Sequence, residues 1–495
     1  MLHIIKKQTI LLHLHQQKDV FELQHKMSER YWKDIVPMLQ RVFDKISTED
    51  ETIYVDKFEI DLASINLNEI DKDEWLEQLE IILENQVREI LGVPHIKSEA
   101  ARIPRSINIF TQWLNYMETG QLPWNAASPD SNWRDNVLEA VAVDYESVGK
   151  LRMKILNYPF VLDRIISQHN EKFLENLATI LSAYNHEGLS RVFDQLELIV
   201  KSVKTAKWKV AEINLSPAER RISQWKTILI GAAKKSTIQM DSPVAPFVRS
   251  MLGALGPEWK IPKKIESSIL NLLPLIEKVK KEMMVKESRI EMELQKQEAE
   301  VKSILQKIIT EEFDPQKLIA TKEKMLSEEE GIYVNNAGII LVHPFLKLLL
   351  ARLGIIHEGK FISEEQRCKA ILILHYLATG KTEAEEFELT VAKILCELPI
   401  ELPLVTSPEL NDIEKGESDQ MLLALIQQWE ILKNTSLEGL RESFLQRPGK
   451  LIKRNGSLCL LVESSSIDML LDYLPWNLSI IKLPWMKEML RVEWR

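Results

Sequence analysis

The sequence predicts a mainly α fold with a small α+β unit at each end and a helical middle that includes a long connecting helix. Three observations lead there. Only 16 of 495 residues are glycine, while Leu, Ile, Glu and Lys are abundant, a balance that favours helix. Apolar residues with strand period, flanked by turn residues, occur near the two ends. Between Pro274 and Pro315 no glycine or proline interrupts the chain.

Residues 1–95 read as a β-α-β-α unit. Ile10, Leu12 and Leu14 alternate with Leu11, His13 and His15, which predicts a strand. A helix over 20–46 follows from the spacing of Phe21, Leu23, Met27, Tyr31, Ile35, Met38, Leu39, Val42 and Phe43, with Pro37 expected to kink or split it. Residues 52–62 predict a second strand, with Tyr54, Phe58, Ile60 and Leu62 on one face and Lys57, Glu59 and Asp61 on the other. A helix over 73–91 stops at Gly92, with Pro94 beyond it.

Residues 96–262 predict an irregular helical domain. Trp113, Leu114 and Met117 share a helical face closed by Gly120, and periodic apolar runs continue over 137–148, 152–166, 172–184 and 189–203 without a fixed repeat. Residues 263–326 read as a charged connector. Its 275–314 stretch would span about 60 Å as one helix at 1.5 Å per residue. It either bridges solvent or pairs with partner helices, since its apolar positions lack a strict heptad.

Residues 327–495 predict a C-terminal α+β domain. Residues 331–342 read as two short apolar strands around a polar turn, and Pro344 suits the first turn of a helix. A second helix, 363–379, opens on Ser363-Glu364-Glu365-Gln366, similar to a capping box, and ends at Gly380. Asn455-Gly456 between 451–454 and 458–463 signals a two-residue hairpin, and short strands close the chain at 478–483 and 490–494.

Composition narrows the function classes. A net charge of −10 and pI near 5.7, without a basic stripe, argue against nucleic acid as a partner. Three cysteines, Cys368, Cys396 and Cys459, form no CxxC pair and fit free thiols in a reducing compartment. The N-terminus lacks the pattern of a signal peptide, and the richest apolar run, 339–350, is short and holds His343, Pro344 and Lys347, so no membrane insertion is expected.

Candidate chemistry is thin. Nucleophile elbows, phosphate-binding loops and dinucleotide fingerprints are all missing from the sequence, and 253–257 reads as a plain loop because Pro257 removes a helix N–H. Cys368 and His375 share a helix face but sit two turns apart, too far for direct proton transfer. Glu59 and Asp61 share a strand face with Lys57, which suits solvation, and His13 with His15 supplies at most half a metal site. The expectation is a non-enzymatic protein with no catalytic, cofactor-binding or metal site. One oddity remains: Trp476, Trp485 and Trp494 recur every nine residues, two of them in Leu-Pro-Trp triplets, as core anchors or as a docking surface.

Gly331-Ile332-Tyr333-Val334-Asn335-Asn336-Ala337-Gly338-Ile339 and His343-Pro344-Phe345-Leu346 resemble the tape-measure family of contractile injection systems, the bacterial phage-tail-like particles. The likeness runs on in order through 375–380, 395–399, Trp429, 432–436, 440–447, 472–476, 481–486 and 492–494, and the opening β-α-β resembles the family at 23–39 and 55–62. The resemblance implies an assembly role, setting inner-tube length between baseplate and cap. It implies inner-tube, baseplate or spike, and cap proteins as partners, and residence in the bacterial cytoplasm during assembly and in the tube lumen afterwards; self-association through 275–314 is the partner-helix reading of that stretch. The alternative is a folded assembly chaperone or baseplate-associated adaptor. The signature positions offered as docking or structural residues are Tyr333, Asn335, Asn336, His343, Pro344, Trp476, Trp485 and Trp494.

Overall fold

The computed structural model describes residues 3–11, 20–55, 73–92, 100–126, 132–183, 186–204, 217–234, 272–285, 330–404 and 408–494, with a few isolated positions between them. These fall into two compact units, Met1–Trp113 with Pro123–Ser147, and Leu114–Leu122 with Val148–Arg495.

In the first unit, α1 (Val20–Arg30) runs through a single π-turn (Tyr31–Ile35) into α2 (Val36–Ile46). Pro37 falls within the first two positions of α2, where its missing N–H and its ring are accommodated by the widened turn, so the predicted break is a bulge. The expected strand at 10–15 is not seen at Ile10 and Leu11, and its remainder lies outside the described residues. β1 (Glu51–Val55) pairs antiparallel with β2 (Ala100–Pro104), from Glu51 opposite Pro104 to Val55 opposite Ala100. The second predicted strand is therefore shorter than its apolar pattern, and its partner lies past the 73–91 helix. That helix, α3 (Glu74–Gly92), buries Trp75, Leu83 and Val87 against Ile35, Met38 and Val42. Lys45 bridges Glu80 and Glu84 at 3.2 and 3.3 Å across the same pair of helices. α4 (Arg105–Thr119), whose residues from Leu114 on count with the second unit, and α5 (Trp133–Val143) follow.

The second unit begins with helices: α6 (Tyr145–Asn157), α7 (Pro159–Gln168), α8 (Glu171–Ser182), α9 (Leu189–Lys204) and α10 (Pro217–Ala233). Pro159 opens α7, and Asn170 caps α8 by accepting from Phe173 N at 2.9 Å. Trp225 on α10 is fully buried and donates its indole N–H to Glu171 at 2.7 Å. Of the predicted long helix, Leu273–Val285 is helical and 286–314 lies outside the described residues.

The C-terminal part is a five-stranded mixed sheet packed on helices. Strand order is β3 (Ile332–Val334), β6 (Gly449–Arg454), β7 (Ser457–Val462), β9 (Leu490–Glu493) and β8 (Ile480–Ile481), antiparallel except for β7 with β9. A separate two-stranded hairpin joins β4 (Ile356–His357) and β5 (Lys360–Phe361). Asn455 and Gly456, both at positive φ, turn the β6–β7 hairpin where the sequence placed it. Helices His343–Arg352, Glu364–Thr379, Thr390–Leu395 and Asp412–Gln428 supply the rest of the core. Ser363 caps the second by accepting from Gln366 N, and Gly380 at φ +72° ends it.

A further sequence expectation fails in this domain. Residues 331–342 do not form two strands: Ile332–Val334 is β3, but Ala337–Val342 is a 3₁₀ helix whose six residues are all buried. This run has no polar alternation, so no strand face could be given to water. Gly338 is what allows the tight path, because a Cβ there would stand 1.7 Å from the carbonyl oxygen of Phe444.

Gly338→Ala should therefore cost about 3 kcal/mol or more in chemical denaturation, since backbone, not a flexible side chain, fills the space. Gly416→Ala, inside a helix with nothing within 4 Å of the added methyl, should instead stabilise by about 0.5–1 kcal/mol.

Candidate functional site

The signature positions distribute over the C-terminal domain. Tyr333 sits on β3, half exposed, with the Lys450 ammonium 5.6 Å from its ring centre. Asn335 is exposed and Asn336 is buried, its amide donating to Glu388 O at 3.4 Å. His343 is half-buried against Ile340 O, and burial holds its imidazole below the usual histidine range. Pro344 is exposed at the start of its helix.

The three tryptophans are half-buried and each seats on a different element. Trp476 meets Phe345 edge to face at 5.3 Å. Trp485 lies 5.3 Å from Phe361 and donates its indole N–H to Leu395 O at 2.7 Å, while Lys487 N donates to the Glu397 carboxylate at 3.0 Å. These bonds strap the chain's closing segment across the end of the Thr390–Leu395 helix. Trp494 faces the Arg447 guanidinium at 6.0 Å, and Arg447, itself buried, pairs with buried Asp468 at 3.2 Å and donates to Ser443 O at 2.7 Å. Trp429 is fully buried and donates to Leu470 O at 3.2 Å. Tyr376, Asp419 and Arg441 form a further knot: Arg441 donates to Asp419 at 2.7 Å and to Leu377 O at 3.2 Å, and the Tyr376 hydroxyl donates to Asp419 at 3.1 Å.

Among the described residues, the most heavily buried cluster of charges has no motif to announce it. Arg164 on α7, Glu386 and Lys393 are each 0% exposed. Arg164 makes two bonds to the Glu386 carboxylate at 2.9 and 3.2 Å, and donates to Met117 O at 2.5 Å and Glu401 O at 2.7 Å. Lys393 donates to the same carboxylate and to Leu402 O at 2.8 Å. Around them the Tyr116 hydroxyl donates to Gln168 at 2.9 Å and accepts from Glu386 N at 3.0 Å, and the Thr390 hydroxyl donates to Gln121 at 3.0 Å. Burial pulls the Lys393 ammonium below the usual lysine range, against the pull of Glu386, and pushes the Tyr116 phenol well up. Signals existed: Arg164 interrupts the apolar Val161-Leu162…Ile165-Ile166 face, and Lys393 interrupts Val391-Ala392…Ile394-Leu395. Glu386 stands in an acidic run and carried none.

The candidate catalytic groups do not assemble. Cys368 is half-buried, and His375 is buried in the same helix with Nε2 on Glu383 O at 3.1 Å. Glu59 is exposed and paired with Lys57, whereas Asp61, His13, His15 and 253–257 lie outside the described residues. A serine–histidine contact without a sequence motif joins Ser182 Oγ to His186 Nε2 at 2.9 Å. The same hydroxyl lies 2.8 Å from Ala178 O, so its one proton is shared between a backbone carbonyl and the imidazole, and no third group that would complete a triad is seen among the described residues. Among the described residues, no three His, Cys, Asp or Glu side chains gather to hold a metal, and no helix is long and apolar enough to cross a membrane.

Fold and site together define a mainly helical protein whose C-terminal third is a mixed sheet packed on helices, with its tryptophans and Asn336 packed into that framework and Tyr333, Asn335 and Pro344 exposed on it. The chain belongs to the contractile injection system tape measure proteins, whose family profile matches residues 2–494, nearly its whole length. No curated protein and no solved structure matches the chain. The family is a structural component of these particles, which agrees with the C-terminal resemblance and extends it across the helical middle.

Trp485→Phe keeps a ring but loses the bond to Leu395 O, and should cost about 1–2 kcal/mol in equilibrium unfolding. Trp476→Phe, whose indole N–H has no acceptor, should cost less than that. Burial lowers His375 from 6.5, so the unfolded chain binds its proton first as pH falls. Stability should therefore drop below about pH 6.5 in thermal melts, and His375→Gln should flatten that slope.

Proposed function

We propose that this chain is the length-setting component of its particle: a folded C-terminal anchor joined to a helical middle that carries the ruler. The observation that carries the proposal is the continuous C-terminal core, from Leu326 to Val492, into which the Trp and Gly signature is built. A body so tightly closed cannot contribute its contour length to a ruler without losing that core, so length information is better sought upstream. The 275–314 stretch is the natural place, at about 60 Å if helical. The proposed partners are the inner-tube proteins along the ruler and a baseplate, spike or cap protein at the anchor. Among the signature residues, Tyr333, Asn335 and Pro344 keep exposed surface and are the proposed docking contacts. Assembly would take place in the bacterial cytoplasm, with the chain left in the tube lumen, and no catalytic role is proposed. The same folded body also supports a second reading, an assembly chaperone or baseplate adaptor that stays folded throughout.

Two experiments separate these readings. Removing about 18 residues within 275–314, roughly five helical turns and about 27 Å, should shorten particles by a matching amount in electron micrographs. Normal particles of unchanged length would eliminate the ruler. Mass spectrometry of purified particles should find the chain at a few copies per particle; its absence would favour the chaperone.

A further inference from the structure

Among its described residues, the second unit has more than one kind of contact between its parts. Among the described residues, the apolar cluster of the C-terminal domain draws on none before Leu326. Where α7 and residues 114–122 meet residues 385–402, the central contacts are polar and charged. Two cations share one carboxylate, backbone carbonyls of Met117, Glu401, Ile400 and Leu402 accept four further bonds from them, and Tyr116, Gln168, Gln121 and Thr390 close the rim. The aromatic contribution is the Tyr116–Phe387 edge contact at 5.6 Å.

A seam of this kind differs from an apolar one in what happens when it opens. Apolar surface gains nothing from water, so an apolar seam resists opening in proportion to its area. Buried ions recover their full hydration on opening, which offsets most of the Coulomb energy lost, and a buried ion pair is on balance no better than apolar residues of the same volume. Yet while closed it demands correct geometry, because Glu386 is the carboxylate both cations share, and its removal leaves two uncompensated charges in a site 0% exposed. The result is a joint that is specific when shut and inexpensive to open, while the apolar cores on either side remain intact.

We propose that the Arg164–Glu386–Lys393 seam is a release latch, at which α7 and the helices packed on it part from the C-terminal domain as folded bodies. The proposal requires no particular assembly role for the chain, and its failure would leave the length-setting reading standing.

Hydrogen exchange of the full chain through a denaturant series tests it. Amides of 114–122 and 385–402 should open at lower denaturant than those of β6, β7 and α8. Glu386→Gln, which leaves both cations without a carboxylate, should speed exchange at the seam roughly a hundredfold and leave β6, β7 and α8 protected. Replacing all three charges at once with apolar side chains (Arg164→Met, Glu386→Leu, Lys393→Met) should slow seam exchange below wild type. A single wild-type transition in which seam and β6–β7 amides lose protection together would overturn the latch. So would loss of protection throughout the Glu386→Gln protein, or seam exchange unchanged in it.

Discussion

The C-terminal domain depends on one close crossing of backbone on backbone. The 3₁₀ helix Ala337–Val342 passes over the π-turn Arg441–Leu445 so tightly that Gly338 leaves room for nothing larger than hydrogen against Phe444 O. That crossing sets the rest. It brings Ala337 N within 2.8 Å of Arg447 O and holds β3 in register on β6, with Val334 opposite Gly449. It also fixes the start of Arg441–Leu445, so that Arg441 reaches Leu377 O and Asp419 at once. Helices and sheet are thus keyed to each other at a point where no side-chain adjustment is available.

Around that crossing the domain uses two kinds of cohesion. Inside it, apolar burial is continuous and tryptophan indoles are tied to backbone carbonyls, so the C-terminal strap is fastened by both area and hydrogen bonds. At its border with α7, cohesion is ionic and fully desolvated. The first kind resists opening in proportion to the apolar area it buries; the second, on the latch proposal, lets its two sides part with their own cores. A structural component that must be built into a larger particle can use both, a rigid body for docking and a joint for rearrangement.

Much of this was legible in the sequence because it follows local rules. The Asn455-Gly456 hairpin, the Ser363 and Gly380 caps and the helices of the middle all depend on neighbours within a few residues, although the predicted 152–166 run is divided at Pro159. Residues 337–342 escape such rules because an unbroken apolar run has no period, and only a contact far along the chain, Gly338 with Phe444, decides its shape. The Arg164–Glu386 pair is invisible for the same reason: 222 positions separate its members, and a lone charge in an apolar face gives no hint of its partner. The tryptophan spacing was visible, but not that the three rings would seat on Phe345, on Phe361 with Leu395, and on Arg447.

The central claim is that the C-terminal body stays folded while the chain serves in the particle. A cryo-electron reconstruction of assembled particles, with a small tag fused at the C-terminus for location, tests it most directly. Compact density for residues 330–494 is expected at one end of the tube, with the β6–β7 hairpin and Trp485 strap recognisable. Tagged chain extended along the lumen, without a folded body anywhere, would contradict it.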